Sequence, residues 1–217
     1  DASLQQFSEP RRISIKTIED TADKVEAAFK EKMPDNKFDI LRIEKVGPAA
    51  GKELRKKATW SILSALGAIL IFVGFRFKHF DFAVAGVIAL LHDILATLGM
   101  LAVTGRKVDL LIVTALLTIA GYSINDTIVI YDRVRELNRT LRKINLKELI
   151  NLAVNQTFGR TILTSFTTLM AVLAIFLFGG DVLNDFAFAL LVGFISGVYS
   201  TVYIASPLIL IGKRKAT

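Results

Sequence analysis

The chain has 217 residues, 53% of them hydrophobic, and carries a formal net charge of +7. A mean hydropathy of +0.50, concentrated in long apolar runs, indicates a bilayer rather than water as the solvent. With no cysteine in the sequence, disulfides, thiol nucleophiles and cysteine-ligated metals are excluded. The basic residues lie mainly between or beside the apolar runs, where they set membrane topology, so we expect no nucleic-acid partner.

Residues 1–50 are polar and charged, and we predict that they form the C-terminal part of an α+β domain outside the membrane. Ile13 and Ile15 alternate with polar neighbours as in a strand, and a helix with Thr17 as its N-cap is expected to follow. A second strand is expected at residues 38–43. A β-α-β piece of this length does not bury a full core, so we expect the domain to begin upstream. The predicted helix has an apolar stripe of Ile18, Ala22, Val25, Phe29 and Met33.

Residues 51–217 are predicted to form a transmembrane domain. A helix needs about 20 apolar residues to cross the hydrocarbon core of a bilayer. Five stretches meet this requirement, so we predict an α-helical polytopic membrane protein. The predicted spans cover residues 58–75, 82–103, 110–131, 160–178 and 186–211.

The polar segment 132–159 is predicted to be an amphipathic cytoplasmic segment made of two helical pieces. The second piece is expected to start at a capping box formed by Asn145 and Glu148. Its apolar stripes favour a position on the membrane surface, and a docking face for a partner is the alternative. Near the ends of the spans, eleven Lys and Arg residues lie on this side of the membrane against six on the other, which predicts a cytoplasmic C-terminus and an external N-terminal domain.

The third span contains an unusual row of polar residues. An ionisable side chain at the centre of a span costs about 2.5 to 3.5 kcal/mol, so Asp126 requires a partner, water or a function. At about 100° per residue six residues of this span share one helical face, which we expect to point into the protein. They are Thr114, Thr118, Gly121, Tyr122, Asn125 and Asp126.

The fourth span begins with a second polar stripe, which includes Arg160 and Thr164. Because the third and fourth spans run in opposite directions, Asp126 and Arg160 are predicted to reach a similar depth, where an ion pair between them is sterically reasonable. Protonation of Asp126 would remove that attraction and let the two helices separate or rotate, so that ion uptake drives movement. The alternative is that Arg160 extends to the membrane surface and Asp126 has only a structural partner.

The remaining spans carry weaker signals. His92 and Asp93 in the second span could relay protons or coordinate a cation, or could simply bond neighbouring helices. In the fifth span Gly193, Ser196, Gly197 and Ser200 form a small-residue face that is typical of close helix packing. Pro207 is expected to kink or end that helix. The sequence has only two histidines, and His79 lies at a membrane interface, so we expect no metal site. We also expect no enzymatic activity, because no catalytic motif is present.

Several segments of the chain resemble the SecF family of protein-export membrane subunits. The main one is residues 121–136, GYSINDTIVIYDRVRE. The others are Val46-Gly-Pro, Gly51-Lys-Glu-Leu, Ala89-Leu-Leu-His-Asp-Ile and Gly159-Arg-Thr-Ile-Leu-Thr-Ser, and the resemblance covers essentially the whole chain.

The resemblance implies an RND-like architecture of six membrane helices with a ferredoxin-like periplasmic domain between the first and second. Five of the six helices are then present here. It also implies association with SecD beside the SecYEG translocon in the bacterial inner membrane, and use of a proton or sodium gradient to draw unfolded polypeptide outward. By resemblance Asp126 and Arg160 are the ion-coupling residues. The secondary candidates, which the polar residues of the spans themselves suggest, are Asn125, Asp93, His92 and Thr164. No cofactor other than H⁺ or Na⁺ is expected.

Two other functions remain open. The chain could be a small-molecule exporter of the same superfamily, although the external domain is short for a drug-binding vestibule. It could also be a passive scaffold for the translocon or for membrane-protein insertion.

Overall fold

The computed structural model describes residues 3–6, 13–16, 21–33, 38, 40, 48–78, 80–141 and 144–214. The chain divides into two units, Asp1–Lys57 and Ala58–Thr217. In the first unit, strand β1 (Ser3–Gln6) pairs antiparallel with β2 (Ile13–Lys16). Helix α1 spans Ala22–Lys32.

The sequence predictions for the first unit are tested only in part. Ile13 and Ile15 lie in β2, as expected for a strand, with Ile15 opposite Leu4. Helix α1 contains Ala22, Val25 and Phe29 of the predicted stripe, and Met33 is its C-cap residue. The N-cap of α1 is Thr21 and not the predicted Thr17, so the helix begins later than expected. Phe38 and Ile40 of the predicted second strand are not in a strand. The rest of that segment and Ile18 lie outside the described residues.

Five helices in the described residues are long and apolar enough to cross a membrane, which confirms the predicted number of spans. Helices α2 to α5 are Pro48–Phe77, Phe80–Val103, Leu110–Thr140 and Leu146–Phe178. The last span is built from α6 (Gly180–Ser200), a π-helical turn (Thr201–Ala205) and α7 (Ser206–Arg214).

Segment 132–159 continues the two membrane helices that flank it. Helix α4 extends to Thr140, and α5 begins at Leu146 after a short turn. Asn145 is the N-cap of α5, and its side-chain oxygen accepts a hydrogen bond from the backbone N–H of Lys147 at 3.2 Å. Leu149 and Ile150 of the predicted stripe are buried. The predicted start of the second helical piece at Asn145 is therefore confirmed, but among the described residues the Glu148 side chain makes no capping-box bond to Asn145.

Removing this cap gives a first testable prediction. An N-cap side chain satisfies a backbone donor that the helix leaves free, so Asn145→Ala is expected to cost about 0.5 to 2 kcal/mol of stability. Thermal unfolding of the purified protein in detergent measures the change. Asn151→Ala is the matched control, because Asn151 is exposed in the body of the same helix. Equal melting temperatures for the two variants would show that the cap contributes nothing.

The core of the second unit lies where α6 packs against α3, α4 and α5. Gly193 and Gly197 allow this approach. A Cβ at Gly193 would overlap the side chain of Ile119 on α4, and a Cβ at Gly197 would lie 3.2 Å from Oγ of Ser123. The small-residue face predicted in the last span is therefore a close-packing surface.

Pro207 lies in the first turn of α7, directly after the π-helical turn. Proline has no N–H to donate, and in an α-helix its ring clashes with the carbonyl four residues earlier. The wider turn accommodates this, and the N–H of Ser206 bonds to the carbonyl of Thr201. The helix of the last span therefore widens into a π-helical turn just before Pro207, and it continues beyond the proline instead of ending there.

Candidate functional site

Helix α4 contributes polar side chains to the buried centre of the second unit and also to its surface. Asp126 is only 5% exposed and Tyr122 is partly buried. The other four polar residues predicted to share their face are exposed: Thr114, Thr118, Gly121 and Asn125. The prediction that the whole face points into the protein is therefore wrong for this unit. The six residues cover a broad face of α4. Contact with α5 is made at the side of that face that carries Tyr122 and Asp126.

Asp126 faces helix α5. The hydroxyl of Ser165 donates a hydrogen bond to Oδ2 of Asp126 at 3.4 Å. One turn earlier on α4, the hydroxyl of Tyr122 donates to Oγ1 of Thr168 at 3.0 Å. The carboxyl group thus lies in a buried contact between two membrane helices, with one long hydrogen bond as its side-chain contact.

Arg160 does not form the predicted ion pair. No nitrogen of Arg160 lies within 4.0 Å of a carboxylate oxygen of Asp126, and the side chain is exposed. The reason is helical periodicity. The buried face of α5 carries Thr157, Thr161 and Ser165 at intervals of four residues, and Arg160 lies about 100° away from that face.

Two secondary candidates from the sequence lie beside these residues. Thr164 is exposed, and its hydroxyl donates to the backbone carbonyl of Arg160 at 2.9 Å. Asn125 precedes Asp126 by one residue, as Thr164 precedes Ser165. Because α4 and α5 are antiparallel neighbours, both residues turn to the same side of the contact between the helices. We call the exposed residues on this side the open polar face: Thr118, Gly121, Asn125, Arg160 and Thr164.

Asp93 lies at the junction of α3, α4 and α6 and is fully buried, at 0% exposure. Three hydroxyls donate to its carboxylate: Ser123 and Ser200 to Oδ2 at 2.7 and 2.8 Å, and Ser196 to Oδ1 at 2.8 Å. Nδ1 of the neighbouring His92 lies 3.2 Å from Oδ1. Asp93 therefore has far more hydrogen-bond partners than Asp126.

The serine partners of Asp93 were missed as functional residues by sequence reasoning. Ser196 and Ser200 were interpreted only as part of a small-residue face, and Ser123 was not singled out. Their spacing did contain a signal, because Ser196 and Ser200 are four residues apart and so share one face of α6. A buried aspartate in a neighbouring span needs such donors.

Beside Asp126, a pair of hydroxyl groups joins α4 to the π-helical turn of the last span. Thr127 and Thr201 are both buried, and their hydroxyl oxygens lie 3.0 Å apart. Thr201 is the first residue of the π-helical turn. In the described part of the chain, the buried hydroxyl of Thr161 has no hydrogen-bond partner. Buried hydroxyl groups thus lie near Asp126 on both α4 and α5.

The family model for the C-terminal region of the protein-export membrane proteins SecD and SecF matches residues 24–215. The chain belongs to the SecF family. It is 42% identical over 218 residues to the protein translocase subunit SecF of Calditerrivibrio nitroreducens, and the match covers 96% of this chain and 71% of that relative. As a member of the SecF family, this chain has a role in protein translocation.

The chain is also similar to a longer protein. It is 45% identical over 179 residues to the protein translocase subunit SecDF of Thermus thermophilus, covering 82% of this chain and 24% of that relative. The crystal structure of SecDF, a translocon-associated membrane protein from Thermus thermophilus, matches with a TM-score of 0.81 and 40% identity. That match covers 93% of this chain and 28% of the SecDF chain.

Proposed function

We propose that this SecF chain works with SecD as an accessory motor that uses an ion gradient to drive late steps of polypeptide export. The observation that carries the proposal is Asp126, a carboxyl group 5% exposed in a membrane-spanning helix. Among the described residues, one hydrogen bond of 3.4 Å, from Ser165, reaches its carboxylate. An ionised carboxyl group with so little compensation is costly within a membrane, so uptake of H⁺ or Na⁺ has a large effect on its environment.

The energy available from a gradient is of the right size for this task. Moving one charge through 100 mV releases about 2.3 kcal/mol. Allosteric coupling energies are typically about 1 to 3 kcal/mol, so one ion is sufficient to bias the packing of two helices. The contact of Asp126 with Ser165 lies between α4 and α5, and these are the helices that we expect to shift.

The open polar face supports SecD as the partner within the membrane. Polar side chains at membrane depth are normally covered by protein or line a water-filled cavity. Arg160 and Asn125 lie on that face, on the side of α4 and α5 that the described part of the chain leaves exposed. We propose that SecD packs there and that Arg160 takes part in coupling across the interface. The existence of a relative named SecDF agrees with this pairing.

We propose a bacterial inner-membrane location with the basic end of the helices in the cytoplasm. On that side Arg76, near the end of α2, pairs with Asp132 of α4 at 3.1 Å. At the other end Arg106 bonds to Asn184 and Asp185. By the positive-inside rule, residues 1–50 then lie outside the membrane. We propose that they belong to a ferredoxin-like domain that handles exported unfolded polypeptide beside SecYEG.

Export in inverted membrane vesicles tests this function. Vesicles depleted of SecF are supplied with the full-length protein and SecD, and completion of translocation of a preprotein is followed with and without an ionophore. A SecF-dependent increase in rate that disappears with the ionophore is expected. An increase that survives the ionophore would indicate a scaffold. Altered drug sensitivity on SecF depletion, with normal secretion, would indicate an exporter.

A further inference from the structure

Asp93 and Asp126 are both buried aspartates at membrane depth, but their surroundings differ. Asp93 accepts three hydroxyl hydrogen bonds of 2.7 to 2.8 Å from two other helices. Asp126 accepts one of 3.4 Å. A carboxylate with several short bonds from donors is held in one state and geometry, whereas a poorly bonded one is free to exchange an ion.

We propose that Asp93 is a positioning residue for Asp126. Its side chain accepts a hydrogen bond from Ser123, and thereby sets the rotation of α4 that points Asp126 at α5. This role differs from the secondary ion site predicted for Asp93 from the sequence. Since it serves ion coupling, it rests on the function proposed above.

The path from Asp93 to Asp126 is short. Ser123 precedes Asp126 by three residues, which is about 4.5 Å along the helix axis. On the other side of Asp126, Thr127 contacts Thr201 at 3.0 Å. Rotation of α4 that turns Asp126 away from Ser165 would therefore break the contacts of Ser123 and Thr127 together.

The packing around Ser123 makes this link stiff. A Cβ at Gly197 would lie 3.2 Å from both Cβ and Oγ of Ser123 and 3.7 Å from Oδ2 of Asp93. The lack of a side chain at Gly197 thus brings the backbone of α6 close to both partners of the hydrogen bond between Ser123 and Asp93. Ser196 and Ser200 attach the same carboxylate to α6. The carboxylate of Asp93 consequently joins three helices at one point.

Infrared difference spectroscopy of the full-length protein bound to SecD tests this role. The protonated-carboxyl stretching band of Asp126 is identified by its disappearance in Asp126→Asn. Ser123→Ala and Asp93→Asn are expected to shift this band, because each releases the turn of α4 that carries Asp126. Thr97→Val is the matched control: Thr97 is equally buried on α3, and its hydroxyl donates to the backbone carbonyl of Asp93.

A double-mutant cycle shows whether both residues act through the same bond. If they do, the shift in the double variant equals that in either single variant instead of their sum. Gradient-driven export is expected to fall about tenfold in Ser123→Ala, which corresponds to the loss of one buried hydrogen bond. If Asp93→Asn does not fold, Ser123→Ala alone decides the result.

An unmoved Asp126 band in a folded Ser123→Ala protein would overturn the proposal, even if its melting temperature fell. A band shift equal to that of Thr97→Val would do the same. These results do not depend on export. A shifted band together with normal export in Asp126→Asn would therefore support the positioning role of Asp93 while refuting the motor function.

Discussion

Replacing Asp126 by asparagine is expected to abolish the gradient-driven part of polypeptide export. Asparagine has nearly the same shape and can still bond to Ser165, but it does not take up an ion. The driving force of one charge through 100 mV is about 2.3 kcal/mol, so the factor lost is up to about fiftyfold in rate. Translocation of a preprotein into inverted vesicles, measured with and without an ionophore, gives this factor directly.

Asp132→Asn provides the control for this experiment. Asp132 is on the same helix six residues later, but its side chain is 42% exposed and it pairs with Arg76 at 3.1 Å. An exposed ion pair contributes about 1 kcal/mol at most, so near-normal export is expected.

Arg160→Met is expected to lower the same gradient-driven component as Asp126→Asn. Full gradient-driven export in both Asp126→Asn and Arg160→Met, at normal membrane levels, would contradict the motor mechanism.

Gly193→Ala is expected to disrupt the contact between α6 and α4. The new methyl group would overlap Cδ1 and Cγ1 of Ile119 and lie 2.9 Å from its Cγ2. Isoleucine in a helix has essentially one favourable χ1 rotamer, so its side chain does not swing aside easily. Overpacking of this kind costs about 1 to 3 kcal/mol. Thermal unfolding in detergent and the yield of folded protein measure the loss.

Two further variants make this prediction specific. Gly99→Ala is the matched control, because a Cβ at Gly99 meets nothing within 4 Å. The double variant Gly193→Ala with Ile119→Ala is expected to recover part of the loss, since the smaller side chain at position 119 makes room. If Gly193→Ala were as stable as Gly99→Ala, the close approach of α6 to α4 would be refuted.

The number of membrane spans was predictable from the sequence because long apolar runs have no other stable environment. The helix ends were less predictable. The predicted third span stopped at Tyr131 and the fourth began at Arg160, whereas α4 and α5 extend to Thr140 and back to Leu146. An apolar run shows only which part of a helix lies within the hydrocarbon core. The backbone hydrogen bonds of the helix continue beyond that part, and α5 starts at the capping residue Asn145.

The candidate site was predictable in its residue types, but its arrangement was only partly predictable. An aspartate within an apolar run is conspicuous in any sequence, so Asp93 and Asp126 were both identified. Their different surroundings were not foreseen. The partners of Asp93 come from α4 and α6, at sequence separations of 30, 103 and 107 residues. No local pattern relates residues so far apart.

The sequence by itself therefore determined the five apolar helices, the cap at Asn145, the family resemblance and the presence of charges where a membrane makes them costly. Only the tertiary structure decided that Asp126 is buried while Asn125 is exposed, that Arg160 lies outside the packed face, and that three serines hold Asp93. The physical reason is that helical periodicity specifies the angles between residues on one helix. The direction in which each helix faces is set by close packing against its neighbours.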